Sequence, residues 1–272
     1  MQHATPSNVL EEPAAAGEPP QRDHTRIKER LLQIGTLLLV LIIWEVGARD
    51  VNRLLVAVPS EIARATWQML LSGELVTATL ESMTSLVIGF AVASVLGIVL
   101  GFAMGRSRTL EVVLDPYVNA LYAMPLVALI PILMLWVGIG LAAKITIVIL
   151  FAVFPVIINT TTGVKNVDAH YLDIGKAFMA SRAMVWRYIV LPYAMPYVVS
   201  GLRIALGRGV IAMIVAEFLT SISGLGGLII NYTNAFETAK AFSPVLVVAL
   251  LANALTWALL AVERRLARWR QR

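Results

Sequence analysis

The chain has no cysteine, and only 14% of its 272 residues are charged, against about 25% in ordinary soluble domains. The first absence excludes disulfides and thiolate metal sites. The second, set beside 58% hydrophobic residues, marks an integral membrane protein. Histidine is scarce too: His3 and His24 stand in the polar N-terminal stretch and His170 in a charged segment, so no histidine cluster sits among apolar runs to hold a metal. A GxxxxGK[ST] loop is missing, as are GxSxG, HExxH and any pair of carboxylates within a span. The chain is therefore expected neither to bind nucleotide through a P-loop nor to be an enzyme, and any ATP-driven work falls to a partner. A formal charge of +5 is read here through its distribution along the chain, not as a footprint for nucleic acid.

What the chain does have is six apolar runs, at about residues 31–48, 79–105, 117–137, 141–162, 193–219 and 242–261. Each is long enough to cross a hydrocarbon core, which takes about 20 helical residues. None alternates polar and apolar as a barrel strand would, so the expected fold is an all-α bundle of six transmembrane helices. Residues 1–25 are rich in Pro, Ala, Glu and Gly and read as a disordered cytoplasmic tail, leaving 26–272 as the transmembrane domain. Between the first two runs, Pro59-Ser60-Glu61 opens a helical pattern with Ser60 as the expected N-cap. Segment 221–241 is expected as an outer loop. The basic residues decide orientation: fifteen fall in the tails and in the loops after the second and fourth runs, and five (Arg49, Arg53, Arg64, Lys144 and Lys240) on the other side. The positive-inside rule then puts both termini in the cytoplasm.

Within the runs, three features need accounts. Gly89, Ala93, Gly97, Gly101 and Gly105 recur every four residues, a small-residue stripe that lets another helix approach closely, and they are assigned to helix packing. Pro125 and Pro131 interrupt the third run; each removes a backbone hydrogen bond, which suits either a kinked helix lining a path or a purely structural kink. Charges inside a span are costly, so Arg203 and Glu217 are expected to snorkel toward opposite surfaces, while the deeper Arg208 faces another helix, a pore or a partner subunit. Pro125, Pro131 and Arg208 are the candidate path residues.

The remaining anomaly is the polar stretch Asp168–Pro192, DAHYLDIGKAFMASRAMVWRYIVLP, set on the basic side between two runs. Asp168 is a suitable N-cap. Tyr171, Ile174, Phe178 and Val185 fall near one helical face, with Asp173, Lys176, Arg182 and Arg187 elsewhere. That pattern fits a helix lying on lipid headgroups or one meeting a soluble partner. A transport or channel function is the first reading, and a membrane-embedded enzyme the distant alternative.

Four motifs, PLVALIPILMLWVGIG (125–140), FPVIINTTTGV (154–164), SGLRIALGRG (200–209) and AEFLTSISGLGGLI (216–229), resemble the permease subunits of bacterial ABC importers of the nitrate, sulfonate, taurine and bicarbonate group. The resemblance extends over about four fifths of the chain, from Val58 to the basic C-terminus. In these permeases a cytoplasmic loop reads EAA, three residues, Gly, nine residues, I-x-L-P. Here Ile189-Val190-Leu191-Pro192 matches the second half; Asp173, Ile174 and Gly175 stand in the EAA positions, and Met179 stands where glycine is usual.

The resemblance implies a type I ABC importer-like fold with a coupling helix in the loop at about 164–192. Asp168, Tyr171, Leu172, Asp173, Ile174, Gly175, Lys176, Ala177, Phe178, Met179, Ser181, Arg182, Leu191 and Pro192 would then engage the ATPase. It further implies a cytoplasmic ABC ATPase dimer that binds ATP and Mg, an extracytoplasmic solute-binding protein, and a second permease copy, all on the cytoplasmic membrane. This chain itself would hold no cofactor. The expected cargo is a small anionic solute; a thiamine precursor or other heterocycle, or an exporter or channel role, are the alternatives.

Overall fold

The computed structural model describes residues 22–52, 55–220 and 223–266. Most of the N-terminal tail, Arg53, and Arg268, Arg270 and Arg272 of the basic C-terminus therefore lie outside the described residues. Eleven α-helices follow one another, and no strand occurs among the described residues: α1 (Arg22–Arg49), α2 (Pro59–Leu71), α3 (Glu74–Arg106), α4 (Arg108–Ala123), α5 (Ile130–Val137), α6 (Leu141–Lys165), α7 (Ala169–Ala177), α8 (Arg182–Val185), α9 (Leu191–Thr220), α10 (Gly224–Asn234) and α11 (Thr238–Leu266). Five are long and apolar enough to cross a membrane, and α4 with the segment up to Val137 makes a sixth if that bent pair is one span. Residues up to Gly47 form one compact unit and those from Ala48 onward another. In the first, α1 presents apolar side chains such as Leu38 and Ile42 outward, as a lipid-facing span does.

The core of the second unit is built by α3, α6 and α9. The small-residue stripe of α3 lies along α6 in constant register. A methyl added to Gly89, Gly97, Gly101 or Gly105 would stand 2.7, 2.6, 2.5 and 2.5 Å from the Cβ of Val148, Val156, Thr160 and Val164. Ala93 and Ala152 are both fully buried at the intervening step. No side chain separates the backbones there, which is what small residues at every fourth position allow. On the other flank of α6, Gly201 of α9 lies against Asn159 and the backbone at 155–156, and Gly163 lies against Tyr197. The end of the fourth run bonds largely within α6: Asn159 and Thr162 donate to the carbonyls of Pro155 and Ile158, while Thr161 reaches across to that of Gly101.

Several boundaries differ from the sequence expectation. Helix α2 is capped at Val58, with Pro59 in the first turn, and not at Ser60; proline's fixed φ suits that position. The third span opens at Arg108, because Ser107 accepts a hydrogen bond from the Leu110 amide (3.3 Å) and caps the helix ahead of Asp115. Pro116 sits inside α4. The chain then turns by 89° between α4 and the segment from Leu126 onward, with Met124 and Pro125 in extended or irregular backbone and a short 3-10 turn at Leu126–Leu129. Pro131 lies in the first turn of α5, where its missing N–H costs nothing. Pro125 thus marks a break in the span, whereas Pro131 starts the helix beyond it. Segment 221–241 is not a plain loop, since Gly224–Asn234 forms α10.

Candidate functional site

The stretch between α6 and α9 folds as two short helices with a tight turn between them. Asp168 caps α7 by accepting from the His170 amide at 2.9 Å, and Ser181 caps α8 through the Met184 amide at 3.3 Å. Helix α7 stops at Ala177, so Val185 belongs to α8 and does not continue the face of Tyr171, Ile174 and Phe178. The stop is a Schellman turn: the Met179 amide donates to the Lys176 carbonyl and the Ala180 amide to that of Gly175, both at 2.9 Å. Met179 adopts the left-handed conformation this turn demands, with φ 49°. The geometry of a glycine is thereby held by a methionine, at a cost of about 1 kcal/mol.

Gly175 is the buried residue of α7 and faces Val185 and Ile189; a methyl there would stand 3.1 and 3.2 Å from their side-chain ends. Leu172 is half-buried beside the same cluster. The rest of the apolar face is turned away from this cluster: Tyr171 and Ile174 are exposed, and Phe178 and, beyond the helix, Met179 are 83% and 93% exposed. Asp173, Lys176, Ala177, Ser181 and Arg182 are exposed around them, with Lys176 bonded to Asp173 at 2.9 Å. This produces an uncovered apolar ridge flanked by charges. The pair is joined to α9 by a π-helical turn at Trp186–Val190, in which the Leu191 amide donates to the Trp186 carbonyl. Pro192 has no N–H and would crowd the carbonyl four residues back, and the wider turn relieves that crowding. Trp186 is half-buried against Phe102, with the Arg106 guanidinium 5.5 Å from its ring, which ties the pair to the end of α3.

Of the path candidates, Arg208 is half-buried on α9 with its guanidinium 4.0 Å from the centre of the Tyr122 ring. Tyr122 is the penultimate residue of α4, so Arg208 stands beside the break that precedes Pro125. Pro125 and Pro131 are both exposed.

Glu217 does not snorkel. It is fully buried, as nearly is Lys144, which the charge count placed among the outer residues. The Ser82 hydroxyl donates to one carboxylate oxygen (2.7 Å), the Gly226 amide donates to the other (2.8 Å), and Lys144 Nζ stands 3.6 Å away. Ser82 also accepts from the Leu225 amide at 2.9 Å, and Lys144 donates to the Ser223 carbonyl and hydroxyl at 3.2 and 3.1 Å. Helices α3, α6, α9 and α10 meet in this knot. It requires glycine at 224 and 226, since a methyl at the first would overlap the Glu217 carboxylate and one at the second would lie 2.7 Å from its Cβ.

Residues 93–268 match the family described as binding-protein-dependent transport system inner membrane component. The chain belongs to this family. It is 31% identical over 245 residues to the taurine transport system permease protein TauC of Escherichia coli K12, covering 88% of this chain and 89% of that one. It is 30% identical over 233 residues to a putative aliphatic sulfonates transport permease protein, SsuC of Bacillus subtilis 168, covering 85% and 84%. A riboflavin transport system permease protein, RibX of Chloroflexus aurantiacus, is also 30% identical, over 86% of this chain and 88% of its own. A crystal structure of an amino acid ABC transporter with histidines shares the fold at 14% identity and a TM-score of 0.54, over 75% of this chain and 97% of that one. The chain is thus a permease component of an ABC importer, a multi-pass protein of the membrane.

In this permease hydropathy hides the knot, because a lone carboxylate near a span end reads as a snorkelling one. A better signal was available: Ser223-Gly224-Leu225-Gly226 follows Glu217 by six to nine residues, and paired glycines at a helix start commonly admit close approach of an anion to backbone amides.

Proposed function

We propose that this permease moves a small anionic solute of the sulfonate, taurine, nitrate or bicarbonate class inward by alternating access, as one half of a homodimer with both termini in the cytoplasm. The ridge of Tyr171, Ile174, Phe178 and Met179 carries the proposal, because an apolar surface flanked by charges and held by a strained turn suits a protein groove better than bulk water. The groove belongs to a cytoplasmic ATPase subunit, which binds ATP and Mg, and an extracytoplasmic binding protein delivers the solute. Movement of α7 and α8 passes through the π-turn to α9 and through Trp186 to α3; only contacts that differ between the two transport states can drive the change. Arg208, which stands on the Tyr122 ring beside the break before Pro125, supplies the path together with Pro125 and Pro131, and one intramembrane arginine favours an anion. The named relatives for riboflavin and formylaminopyrimidine support a heterocycle as the second reading.

Asp173→Lys or Gly175→Leu is expected to abolish ATP-driven uptake while the permease still inserts in the membrane; normal uptake in either would refute the coupling assignment. The solute captured by the binding protein that docks on this permease separates the anion from the heterocycle.

A further inference from the structure

Met179 has a counterpart. Phe236, in the turn between α10 and α11, is the only other non-glycine residue with positive φ among the described residues, at 58°. It too closes a Schellman turn, with its amide on the Thr233 carbonyl (3.1 Å) and the Glu237 amide on that of Tyr232 (2.9 Å). It is also a large apolar side chain left 60% exposed. A glycine would serve both turns with less strain. Paying backbone strain to hold an aromatic ring in water makes sense when the ring is used.

The two turns lie toward opposite ends of α3. Trp186, next to α7 and α8, packs against Arg106 at the end of α3, whereas Tyr232 hydrogen-bonds Glu74 at its start. The 33 residues of α3 at about 1.5 Å each separate those ends by roughly 50 Å. The Phe236 turn is held firmly: the Tyr232 hydroxyl reaches both Glu74 oxygens at 2.7 and 2.9 Å, Lys240 pairs with Glu237, and the Glu217 knot fixes the start of α10 to α3, α6 and α9. Beside the ring opens a cavity of about 260 Å³ lined by Glu61, Arg64, Gln68, Glu237 and Lys240.

We infer that Phe236 and this cavity are the docking point for the extracytoplasmic solute-binding protein. An aromatic anchor within a rim bearing both signs of charge is the composition of a protein interface. A face meant for hydrocarbon would not carry that rim, so a binding protein with an apolar socket edged by complementary charges fits it. Because the turn is fastened to the transmembrane core, a load placed on the ring reaches α3 and α9 directly. The inference rests on the importer reading above and on its topology.

The test uses the full permease–ATPase complex in proteoliposomes with its purified binding protein. Phe236→Gly removes the ring and the strain together, so its melting temperature should equal or exceed that of the unaltered protein. Its basal ATP hydrolysis should be unchanged, and the concentration of binding protein giving half-maximal stimulation should rise at least tenfold. An unchanged half-maximal concentration overturns the inference. In this cysteine-free chain, Phe236→Cys should react with a membrane-impermeant maleimide and be protected by the binding protein. Failure to react, or reaction without protection, also overturns it, the former because the ring then lies in lipid. If the binding protein fails to stimulate even the unaltered complex, the importer reading itself is what fails.

Discussion

Helices α3 and α6 are held in two different ways, by the seam between them and by the knot around Glu217, which draws in α9 and α10 as well. The seam spreads its contacts over five register steps and is made almost wholly of van der Waals contact, so each position tolerates small shifts but no added bulk. The knot concentrates two opposite charges, a hydroxyl and two amides within one fully buried cluster. Its bonds are directional, and taking away one member strands the others. A close-packed seam can bear sliding during a transport cycle, whereas a buried ionic knot defines a unit that moves as one piece.

The difference is broken most severely at Glu217. Glu217→Leu leaves Lys144 buried without its counter-charge and takes the acceptor from the Gly226 amide and the Ser82 hydroxyl, and should cost about 3 kcal/mol. In a detergent melt this is a fall of roughly 10 °C, with α10 becoming accessible to protease. Glu217→Gln keeps the acceptor for Ser82 or Gly226 and should lose less. Insertion of bulk into the seam comes next: Gly97→Leu drives a side chain into Val156 and should cost about 2 kcal/mol by the same melt. Gly207→Ala, where nothing lies within 4 Å, should be neutral or slightly stabilising. Equal losses at Gly97 and Gly207 would remove the steric account of the seam.

These regions also show what was legible. The seam could be read because packing of that kind leaves a one-dimensional trace, a small residue every fourth position on one helix, before any partner is known. The knot could be read only in part: the glycines after Glu217 hint at it, but Ser82 and Lys144 come from far away in the chain, and hydropathy scores each residue by itself. Six apolar runs match five spans and a bent pair that makes the sixth if it crosses once; the two prolines announced a disruption of the third run but not its size, since only the cap at Ser107 and the turn at Met124 show that the helix starts early and folds sharply. At the turn between α7 and α8 the cap at Asp168 and the apolar face were legible, and the two-helix turn at Met179 was not. Spacing put Tyr171, Ile174 and Phe178 on one face, and nothing in a local pattern says whether such a face meets this chain or another.

Two smaller changes sharpen the contrast. Thr160 sits in the seam opposite Gly101, and its hydroxyl is a buried side-chain polar atom without a hydrogen-bond partner. Thr160→Val keeps the shape and removes the orphan group, so it should stabilise by about 1 kcal/mol, raising the melting temperature by a few degrees. A similar change in the knot, Ser82→Ala, should destabilise. Met179→Gly, which relieves the left-handed strain of the turn between α7 and α8, should also stabilise by about 1 kcal/mol, while slowing uptake if the methionine side chain seats in the ATPase.

The smallest effect is a titration next to the knot. Burial, and then the hydrogen bond to the Glu74 carboxylate, pushes the Tyr232 phenol up to about 12 from its ordinary value of 10. A phenol whose proton is held more tightly in the folded protein than in the unfolded chain contributes stability that is fully present below pH 10. That contribution is lost as pH rises through about 12, because the unfolded chain sheds the proton first. Between those values the permease should therefore melt at progressively lower temperature. Subtracting the phenolate absorbance of Tyr232→Phe should reveal a single tyrosine ionising near pH 12, and Glu74→Gln should bring that ionisation down. A Tyr232 absorbance rising at pH 10 in the unaltered protein would show that Glu74 does not hold the α10 turn, and the rigid link from Phe236 to α3 would lose one of its two fastenings.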